Sequence, residues 1–349
     1  MPEDFAPRLL TWYDAHGRND LPWQHPRTPY RVWLSEIMLQ QTQVATVVPY
    51  FLRFVKKFAG LPALAAAPLD DVLALWSGLG YYSRARNLHR AAQICMDEHG
   101  GELPREFDAL AALPGIGRST AGAILAQAHG MRCAILDGNV KRVLARFHGV
   151  RGWPGSASVA QQLWKCAEMH TPRERLADYT QAIMDLGATV CSRAKPRCEQ
   201  CPLTVDCVAR IEGATAQLPE RKPARSLPTR NTIMLLLRDR AGRILLQRRP
   251  PSGVWAHLWS LPEADDVDAA RHIVAHDHAA QAITFQPLPP FTHTFSHYRL
   301  DVTPLTACIA QPAHIADAAQ QRWLTPLEAS ALGLPAPVRK LIETLAKES

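Results

Sequence analysis

Apolar residues recur every three to four positions through the first part of the chain, in short runs separated by glycine and proline. This spacing predicts amphipathic helices joined by tight turns, and the lack of alternating apolar residues there predicts an all-α domain. The longest run, residues 30–54, predicts one helix that continues until Pro49 interrupts or kinks it. On this helix Glu36, Gln40 and Gln43 would share one face, which places an acid among amides.

The pattern changes after a stretch rich in Pro, Lys and Arg. Residues 213–228 have the composition of an extended, exposed basic linker. Beyond it the apolar runs predict strands near 231–237, 243–247, 283–285, 298–306 and 322–324, and helices at 268–280 and 337–346. The chain of 349 residues is therefore expected to comprise an all-α domain at 1–212, the linker, and an α+β domain at 229–349.

Composition narrows the class of protein without identifying it. Hydrophobic residues make up 47% of the chain, which is enough for a sizeable core, and no apolar run reaches the length of a membrane span. The N-terminus carries acids where an export signal would carry Lys or Arg, so we expect a cytoplasmic protein. The net charge of +7 lies mainly in the first domain and the linker, and by itself it is a weak indication of nucleic-acid binding.

Four of the eight cysteines form a cluster at the end of the predicted all-α domain: Cys191, Cys198, Cys201 and Cys207. Four thiolates in one loop suit either a tetrahedral zinc ion or an iron–sulfur cluster. Zinc sites usually pair two short knuckles, whereas here one short spacing lies between two longer ones, which favours a 4Fe–4S cluster. Half of the residues between Cys191 and Cys198 are basic, as expected if the cluster holds a loop against phosphates.

A Pro-Gly-Ile-Gly turn separates two predicted helices in the middle of the first domain. Gly115 and Gly117 let the backbone approach a partner closely, and amides at the start of the next helix attract anions such as phosphate. Asp137 follows at an apolar-to-helix junction, just before a basic helix that contains Lys141. From the spacing alone, Asp137 is either an acid beside a DNA backbone or an ordinary helix N-cap, and Glu36 is either a functional acid or part of a solvated face.

Three further stretches are polar or aromatic. Gln41 and Gln43 suit contacts with base edges, or simply solvent. Tyr81 follows a Gly-Leu-Gly break and would either stack against bases or belong to a core. Residues 292–297, by composition, form a polar hairpin with one buried Phe.

Taken together, these motifs resemble the helix-hairpin-helix DNA glycosylases that carry an iron–sulfur cluster, and within them the MutY family of adenine glycosylases. The resemblance covers nearly all of the first domain, through LPW at 21–23, SEIMLQQTQV at 35–44, GLGYY at 78–82, LPGIGRSTA at 113–121, ILDGNVKRV at 135–143, QAIMDLG at 181–187 and the cysteines. It implies a monomeric enzyme, associated with the nucleoid when acting, that removes adenine mispaired with 8-oxoguanine or guanine from double-stranded DNA. It also implies a 4Fe–4S cluster bound by the four cysteines.

The resemblance implies catalytic roles for four residues. Glu36 would be the general acid that protonates adenine N7, and Asp137 would stabilise the sugar cation or trap it briefly as a covalent adduct. Asn139 and Ser119 would position Asp137 or the attacking water. Because endonuclease III-like enzymes carry a nucleophilic lysine where Ser119 lies, the serine implies base removal without strand cleavage.

Further residues match positions that contact DNA in the family. Trp23 and Gln181 would line the adenine pocket. Gln41 or Gln43, with Tyr81, would fill the space left by the extruded base. The amides of Gly115 and Gly117 would bind a phosphate, next to the basic helix of Lys141.

The start of the second domain, residues 244–263, resembles a Nudix domain. The acidic box that a Nudix hydrolase needs to hold its metal does not follow Gly253, so nucleotide hydrolysis is not expected. The resemblance implies recognition of 8-oxoguanine instead, with Ser296 bonding the lesion and Phe295 and His297 contacting the duplex.

Two alternatives to an adenine glycosylase stay open at this point. One is an endonuclease III-like pyrimidine glycosylase and lyase, which Ser119 and the extra domain disfavour. The other is a lesion-binding protein without catalysis, which would keep the hairpin and the cysteines but would tolerate the loss of Glu36.

Overall fold

The computed structural model describes residues 4–223, 226–278, 284–309 and 320–348. The chain folds into two compact units, of which the first comprises residues 1–66 and 87–224 and the second comprises residues 67–86 and 225–349. The predicted linear division of the chain did not include the excursion of residues 67–86 into the second unit. None of the helices in the described part of the chain is both long enough and apolar enough to span a membrane.

The helices that precede the basic linker are short and follow one another closely, as the apolar spacing predicts. They are α1 (Phe5–His16), α2 (Pro29–Leu39), α3 (Val44–Lys57), α4 (Leu61–Ala65), α5 (Leu69–Trp76), α6 (Ser83–Glu98), α7 (Phe107–Ala112), α8 (Arg118–His129), α9 (Gly138–Phe147), α10 (Ala157–His170), α11 (Leu176–Asp185) and α12 (Val208–Ile211). A π-helical turn, Leu186–Val190, continues α11, and short 3₁₀ turns at Cys198–Gln200 and Thr204–Asp206 lie within the cysteine loop.

The single long helix predicted for residues 30–54 is wrong, because the structure has two helices there. Helix α2 ends at Leu39 and α3 begins at Val44. Gln41 between them has a φ of 58°, a left-handed conformation that interrupts the helical hydrogen-bond ladder. Pro49 lies inside α3 without ending it. The apolar spacing continues across the break, so it could not reveal where the backbone leaves the helix.

The core of the first unit lies between α1, α8, α9, α10 and α11. Large side chains such as Phe5, Leu9, Leu144, Leu163 and Leu186 are fully buried in it. Three of the clustered cysteines pack against the edge of the same cluster. The loop that carries them is therefore attached directly to the core beneath α9.

The predicted helix-hairpin-helix turn is confirmed between α7 and α8. Gly115 has a φ of +81°, a conformation that L side chains rarely adopt. A Cβ atom at Gly115 would also lie 3.0 Å from the Cβ of Asn87. Gly117 is the N-cap of α8, and both glycines are exposed.

The second unit is built on a mixed sheet of eight strands in its described residues. The strands are β1 (Thr229–Asp239), β2 (Ile244–Arg248), β3 (Trp259–Ser260), β4 (Glu263–Ala264), β5 (Gln286–Pro287), β6 (Phe291–Thr294), β7 (Arg299–Ile309) and β8 (Gln321–Leu324). Strands β1 and β7 run parallel along their full length, and the other pairings are antiparallel. The remaining helices are α13 (Val267–His278), α14 (Pro326–Ser330) and α15 (Ala336–Glu348).

The long strands and helices of this unit lie where the sequence predicts them. Near 283–285 the prediction was displaced, since the strand begins at Gln286, and residue 283 lies outside the described residues. The same holds for the last two residues of the helix predicted at 268–280. Strands β3 and β4 have two residues each, too few for an alternating pattern to be detected.

Residues 67–86 are attached to the second unit by polar contacts and close packing. The Tyr82 hydroxyl donates to the carbonyl oxygen of Leu334 at 2.8 Å, and Asp70 pairs with Arg248 at 2.6 Å. A Cβ at Gly333 would lie 2.9 Å from the Cβ of Leu73, so only glycine allows α5 to approach this closely. The turn that carries Tyr81 therefore belongs structurally to the sheet-containing unit.

Candidate active site

One cavity of about 1040 Å³ in the first unit brings together most of the residues predicted for the active site. Its walls come from α2, the start of α8, the start of α9 and α11. The predicted residues that line it are Trp23, Glu36, Gln41, Gln43, Ser119, Asp137, Asn139 and Gln181. Residues a hundred positions apart in the sequence thus face one space.

Glu36 is placed in this cavity by α2, with its neighbours in the helix turned toward the core. Its Oε1 atom accepts a hydrogen bond of 2.9 Å from the side-chain amide of Gln127. Burial raises the pKa of the carboxyl to about 7, the amide of Gln127 lowers it, and the charge of Asp137 raises it. This environment differs from the solvated helix face that the spacing also allowed.

Asp137 is both the N-cap of α9 and part of the cavity wall, so its role as a helix cap does not exclude a functional role. Its carboxylate accepts hydrogen bonds from the backbone N–H of Val140 at 2.8 Å and from the side-chain amide of Asn139 at 3.3 Å. Burial raises the pKa of Asp137, while the donors of Val140 and Asn139 and the charge of Arg142 lower it. Burial outweighs them, so the net direction is upward.

Ser119 connects the hairpin to the segment that leads into Asp137. Its hydroxyl oxygen accepts a hydrogen bond of 2.9 Å from the backbone N–H of Leu136. Close packing fixes the same segment, because a Cβ at Gly122 would lie 2.5 Å from the carbonyl oxygen of Ala134. The hairpin helix and the acid-bearing segment are therefore held at a fixed separation.

Gly187 packs closely against Asn139, the residue whose amide donates to Asp137. A Cβ at Gly187 would lie 2.6 Å from the Cβ of Asn139 and 3.0 Å from its carbonyl carbon and oxygen. Gly187 belongs to the π-helical turn that follows α11. Only a residue without a side chain lets this turn pack against the first turn of α9.

The two residues predicted to line an adenine pocket are buried and fixed by neighbours. Trp23 is packed edge-on against Phe51, with 5.4 Å between ring centroids. The amide of Gln181 donates to Asp185 at 2.7 Å, and Asp185 is paired with Arg18 at 2.6 Å. Gln181 therefore faces the cavity in an orientation set by its bond to Asp185, the buried member of this ion pair.

Sequence reasoning missed two residues that support the acids. Gln127 bonds Glu36, and the only signal for it was a lone amide in the otherwise small and apolar run of α8. Arg142 donates to the Oδ1 atom of Asn139 at 2.8 Å and to the carbonyl oxygen of Cys191 at 2.7 Å. Nothing in the sequence distinguished Arg142 from the other cations of the basic helix.

Some of the residues predicted to contact DNA lie outside this cavity. Gly115, Gly117 and Lys141 are not among the described residues that line the cavity. Tyr81 lies in the second unit, where it is 51% exposed and has a φ of 47°.

The predicted lesion-contacting residues also lie in the second unit, after β6. The Phe295 ring is half-buried, with its centroid 5.1 Å from that of Trp255 and 4.8 Å from that of Tyr298. Ser296 and His297 are exposed at the tip of the hairpin between β6 and β7. The hairpin expected from composition is present, with its phenylalanine only partly covered.

The four clustered cysteines form no disulfide bonds among the described residues and line a small cavity of their own, beside Arg146. The Arg146 guanidinium donates to the sulfur of Cys191 at 3.3 Å. Burial, together with the three neighbouring thiols, raises the pKa of Cys201 to about 12, so a bound cation would be needed to hold this sulfur as a thiolate. No group of three or more His, Cys, Asp or Glu side chains in the described residues could hold a single metal ion. The four thiols around this small cavity match, in number and type, the donors that an iron–sulfur cluster takes.

Two family models match separate parts of the chain. The HhH-GPD superfamily of base excision DNA repair proteins matches residues 34–169, and the NUDIX domain matches residues 233–344. The structure of a thermostable thymine-DNA glycosylase is 29% identical and superposes with a TM-score of 0.55, over 60% of this chain and 97% of that one. The fold and the cavity thus define a base excision repair protein of the helix-hairpin-helix class with a Nudix-like domain.

Curated relatives narrow the class further. The adenine DNA glycosylase of Buchnera aphidicola (subspecies Acyrthosiphon pisum) is 36% identical over 98% of each chain. The mouse adenine DNA glycosylase is 35% identical, over 92% of this chain and 74% of the mouse protein. This chain belongs to the adenine DNA glycosylase family. The resemblance drawn from the sequence motifs is thereby confirmed, together with the two-domain fold.

Proposed function

We propose that this protein hydrolyses the N-glycosidic bond of adenine mispaired with 8-oxoguanine or guanine in double-stranded DNA. The observation that carries this proposal is the pair of carboxyls, Glu36 and Asp137, that face one cavity from different helices. One has a pKa close to neutral, and the other is fixed by backbone and side-chain donors. Two carboxyls with different environments are what hydrolysis of a glycosidic bond requires.

Each carboxyl has one task in the reaction. As the bond between the sugar and adenine breaks, its electron pair leaves with the base, and Glu36 gives its proton to adenine N7. Positive charge develops on the sugar, and the Asp137 carboxylate stabilises that charge or traps the sugar briefly as a covalent adduct. Water then adds to the sugar carbon and loses a proton to a carboxylate, so that an abasic site and free adenine result.

Ser119 limits the reaction to base removal. Its hydroxyl accepts a hydrogen bond from the backbone N–H of Leu136 and has no amine that could form a Schiff base with the sugar. Asn139 holds Asp137 in place by donating to its carboxylate. Trp23 and Gln181 line the part of the cavity that receives the extruded adenine.

DNA contacts come from exposed parts of both units. The exposed amides of Gly115 and Gly117, in the turn before α8 and at its N-cap, bind a phosphate, and Lys141 on α9 contributes a positive charge. Gln41 and Gln43, both exposed in the break between α2 and α3, fill the gap that the flipped adenine leaves. Tyr81, with half of its ring exposed, wedges beside the opposing base.

The hairpin after β6 reads the base opposite adenine. Ser296 is exposed and can bond to 8-oxoguanine, while Phe295 and His297 contact the neighbouring duplex. The aromatic packing of Phe295 on Trp255 holds the hairpin in a fixed position on the second unit.

Cys191, Cys198, Cys201 and Cys207 are the residues that would hold a 4Fe–4S cluster. When bound, such a cluster supplies a rigid crosslink of four thiolates. Arg146 lies against this loop through the sulfur of Cys191, which ties it to α9. A colourless, zinc-containing protein would contradict this assignment.

The proposed activity is tested on duplexes that contain A:8-oxoguanine, A:G or thymine glycol. We expect breaks at adenine that require alkali, because the enzyme leaves an abasic site and does not cut the strand. Alkali-independent breaks at thymine glycol would instead support a pyrimidine glycosylase and lyase. Binding without any base release would support a lesion-binding protein.

A further inference from the structure

Gln127 is a buried amide on a helix whose other inward residues are small or apolar. It is 5% exposed, and Ala123, Ile124 and Ala126 beside it on α8 are also buried. A leucine or methionine would fill this space and need no partner, whereas a buried amide must be hydrogen-bonded to be tolerated. The partner of Gln127 is therefore informative about why an amide is present.

That partner is the carboxyl proposed as the general acid. The side-chain nitrogen of Gln127 donates to the Oε1 atom of Glu36 at 2.9 Å, across the contact between α8 and α2. In the described part of the chain, the Glu36 carboxyl receives no other side-chain hydrogen bond. Oε1 is occupied by a donor, which leaves Oε2 as the oxygen that can carry a proton.

We propose that Gln127 is a positioning residue that directs the acidic proton of Glu36 to Oε2 and sets how readily it leaves. An acid whose proton is shared between two equivalent oxygens presents it to the base only part of the time. A fixed amide donor at one oxygen removes this ambiguity before adenine enters the cavity. The inference rests on the proposed function, because it assumes that Glu36 protonates the departing base.

Several charged groups share the cavity with Glu36. Asp137 faces it from the start of α9, and Arg142 on the same helix lies beside Asp137. Arg18 and Arg193 also line the cavity. Burial and Asp137 raise the pKa of Glu36, whereas the amide of Gln127 lowers it, so Gln127 opposes the other two influences.

The test replaces Gln127 by residues of similar size that cannot donate, Q127L and Q127M. Base release from A:8-oxoguanine duplexes is measured under single-turnover conditions across a range of pH. The rate requires protonated Glu36 and therefore falls as the pH rises through the pKa of Glu36. Without the donor the carboxylate is less stabilised, so the falling limb should move upward by about one pH unit. At pH values below this limb, the maximal rate of base release should drop several-fold, because the proton of Glu36 is no longer directed to Oε2.

A purely structural role for Gln127 predicts a different result. The rate would then fall by the same factor at every pH, and the midpoint of the falling limb would not move, which would overturn the proposal. Melting temperatures identify a variant that folds poorly, and the methionine substitution gives a more adaptable replacement if the leucine does not fit. Gln161→Leu, on the exposed face of α10, is the matched control and should leave the profile unchanged.

A double variant separates this inference from the proposed function. In a Glu36→Gln background, Q127L should cause no further pH-dependent change, because the group that Gln127 acts on is gone. A pH-dependent change in rate caused by Q127L in that background would overturn the proposal. If Glu36→Gln alone released adenine at the normal rate, the general-acid assignment itself would fail. An inactive Glu36→Gln variant together with an unmoved limb in Q127L would overturn only the role of Gln127.

Discussion

Glu36 and Asp137 face the same cavity, but the protein holds the two carboxyls in different ways. Within the described residues, the carboxyl of Glu36 receives one side-chain hydrogen bond, from the neutral amide of Gln127. Asp137 receives the backbone N–H of Val140 and the amide of Asn139, with the guanidinium of Arg142 nearby. Burial raises the pKa of both, but only Asp137 has a set of donors and a cation that favour its charged form.

This difference supports the two chemical tasks proposed for these carboxyls. A buried carboxyl with a single hydrogen-bond donor has a pKa near neutral and can carry a proton to a leaving base. A carboxyl that accepts hydrogen bonds at a helix N-terminus is held in position, and its donors oppose the effect of burial on its pKa. Substitutions that affect one carboxyl at a time test this difference, and the largest effect is expected at Glu36.

Replacing Glu36 by Gln should abolish proton delivery while keeping the shape of the side chain. We expect base release to fall by about 10²–10⁴-fold, with binding of an A:8-oxoguanine duplex still measurable. Single-turnover kinetics and a binding titration provide the two readouts. Glu98→Gln, on the exposed surface of α6, is the matched control. Normal turnover by the Glu36 variant would remove the distinction between the two carboxyls.

Replacing Asp137 by Asn should separate charge from helix capping. Asparagine is also a good N-cap, so the melting temperature should change little, while base release falls by about 10²-fold because the negative charge is lost. Asp137→Ala should lose the activity and about 1 kcal/mol of stability as well. An Asn variant with normal activity would reduce Asp137 to a structural cap.

Replacing Gly187 by Ala should disturb the support of Asp137 and leave that of Glu36 intact. The added Cβ would meet Asn139 at 2.6 Å, so the first turn of α9 must shift. We expect a loss of about 1–3 kcal/mol in the free energy of unfolding and a clear drop in base release. Denaturant unfolding measures the first effect. Gly138→Ala, which has open space around the new Cβ, is the stability control and should not destabilise the protein.

Replacing Ser296 by Ala should leave both carboxyls unchanged, because Ser296 lies in the second unit. We expect normal base release opposite guanine and a loss of about five-fold in the preference for 8-oxoguanine, the value of one hydrogen bond. Competition between the two duplexes measures this preference, with Ser158→Ala on the exposed surface of α10 as control. An equal loss on both duplexes would argue against a role in lesion recognition.

Much of the local structure could be predicted from the sequence. The hairpin between α7 and α8 follows from Pro114, Gly115 and Gly117, because these residues impose a tight turn whatever surrounds them. The long strands β1 and β7 follow from runs of apolar residues. The break at Gln41 could not be predicted, because the apolar spacing runs through it without interruption.

By itself, the sequence determined the class of protein, the helical and sheet-containing parts, and the acids and thiols that carry the proposed chemistry. The tertiary structure alone decided that residues 67–86 join the second unit, that Gln127 bonds Glu36, and that Gly187 fits against Asn139. The physical reason is that spacing along a chain reports which face of an element is buried. It does not report which side chain from another element will meet that face.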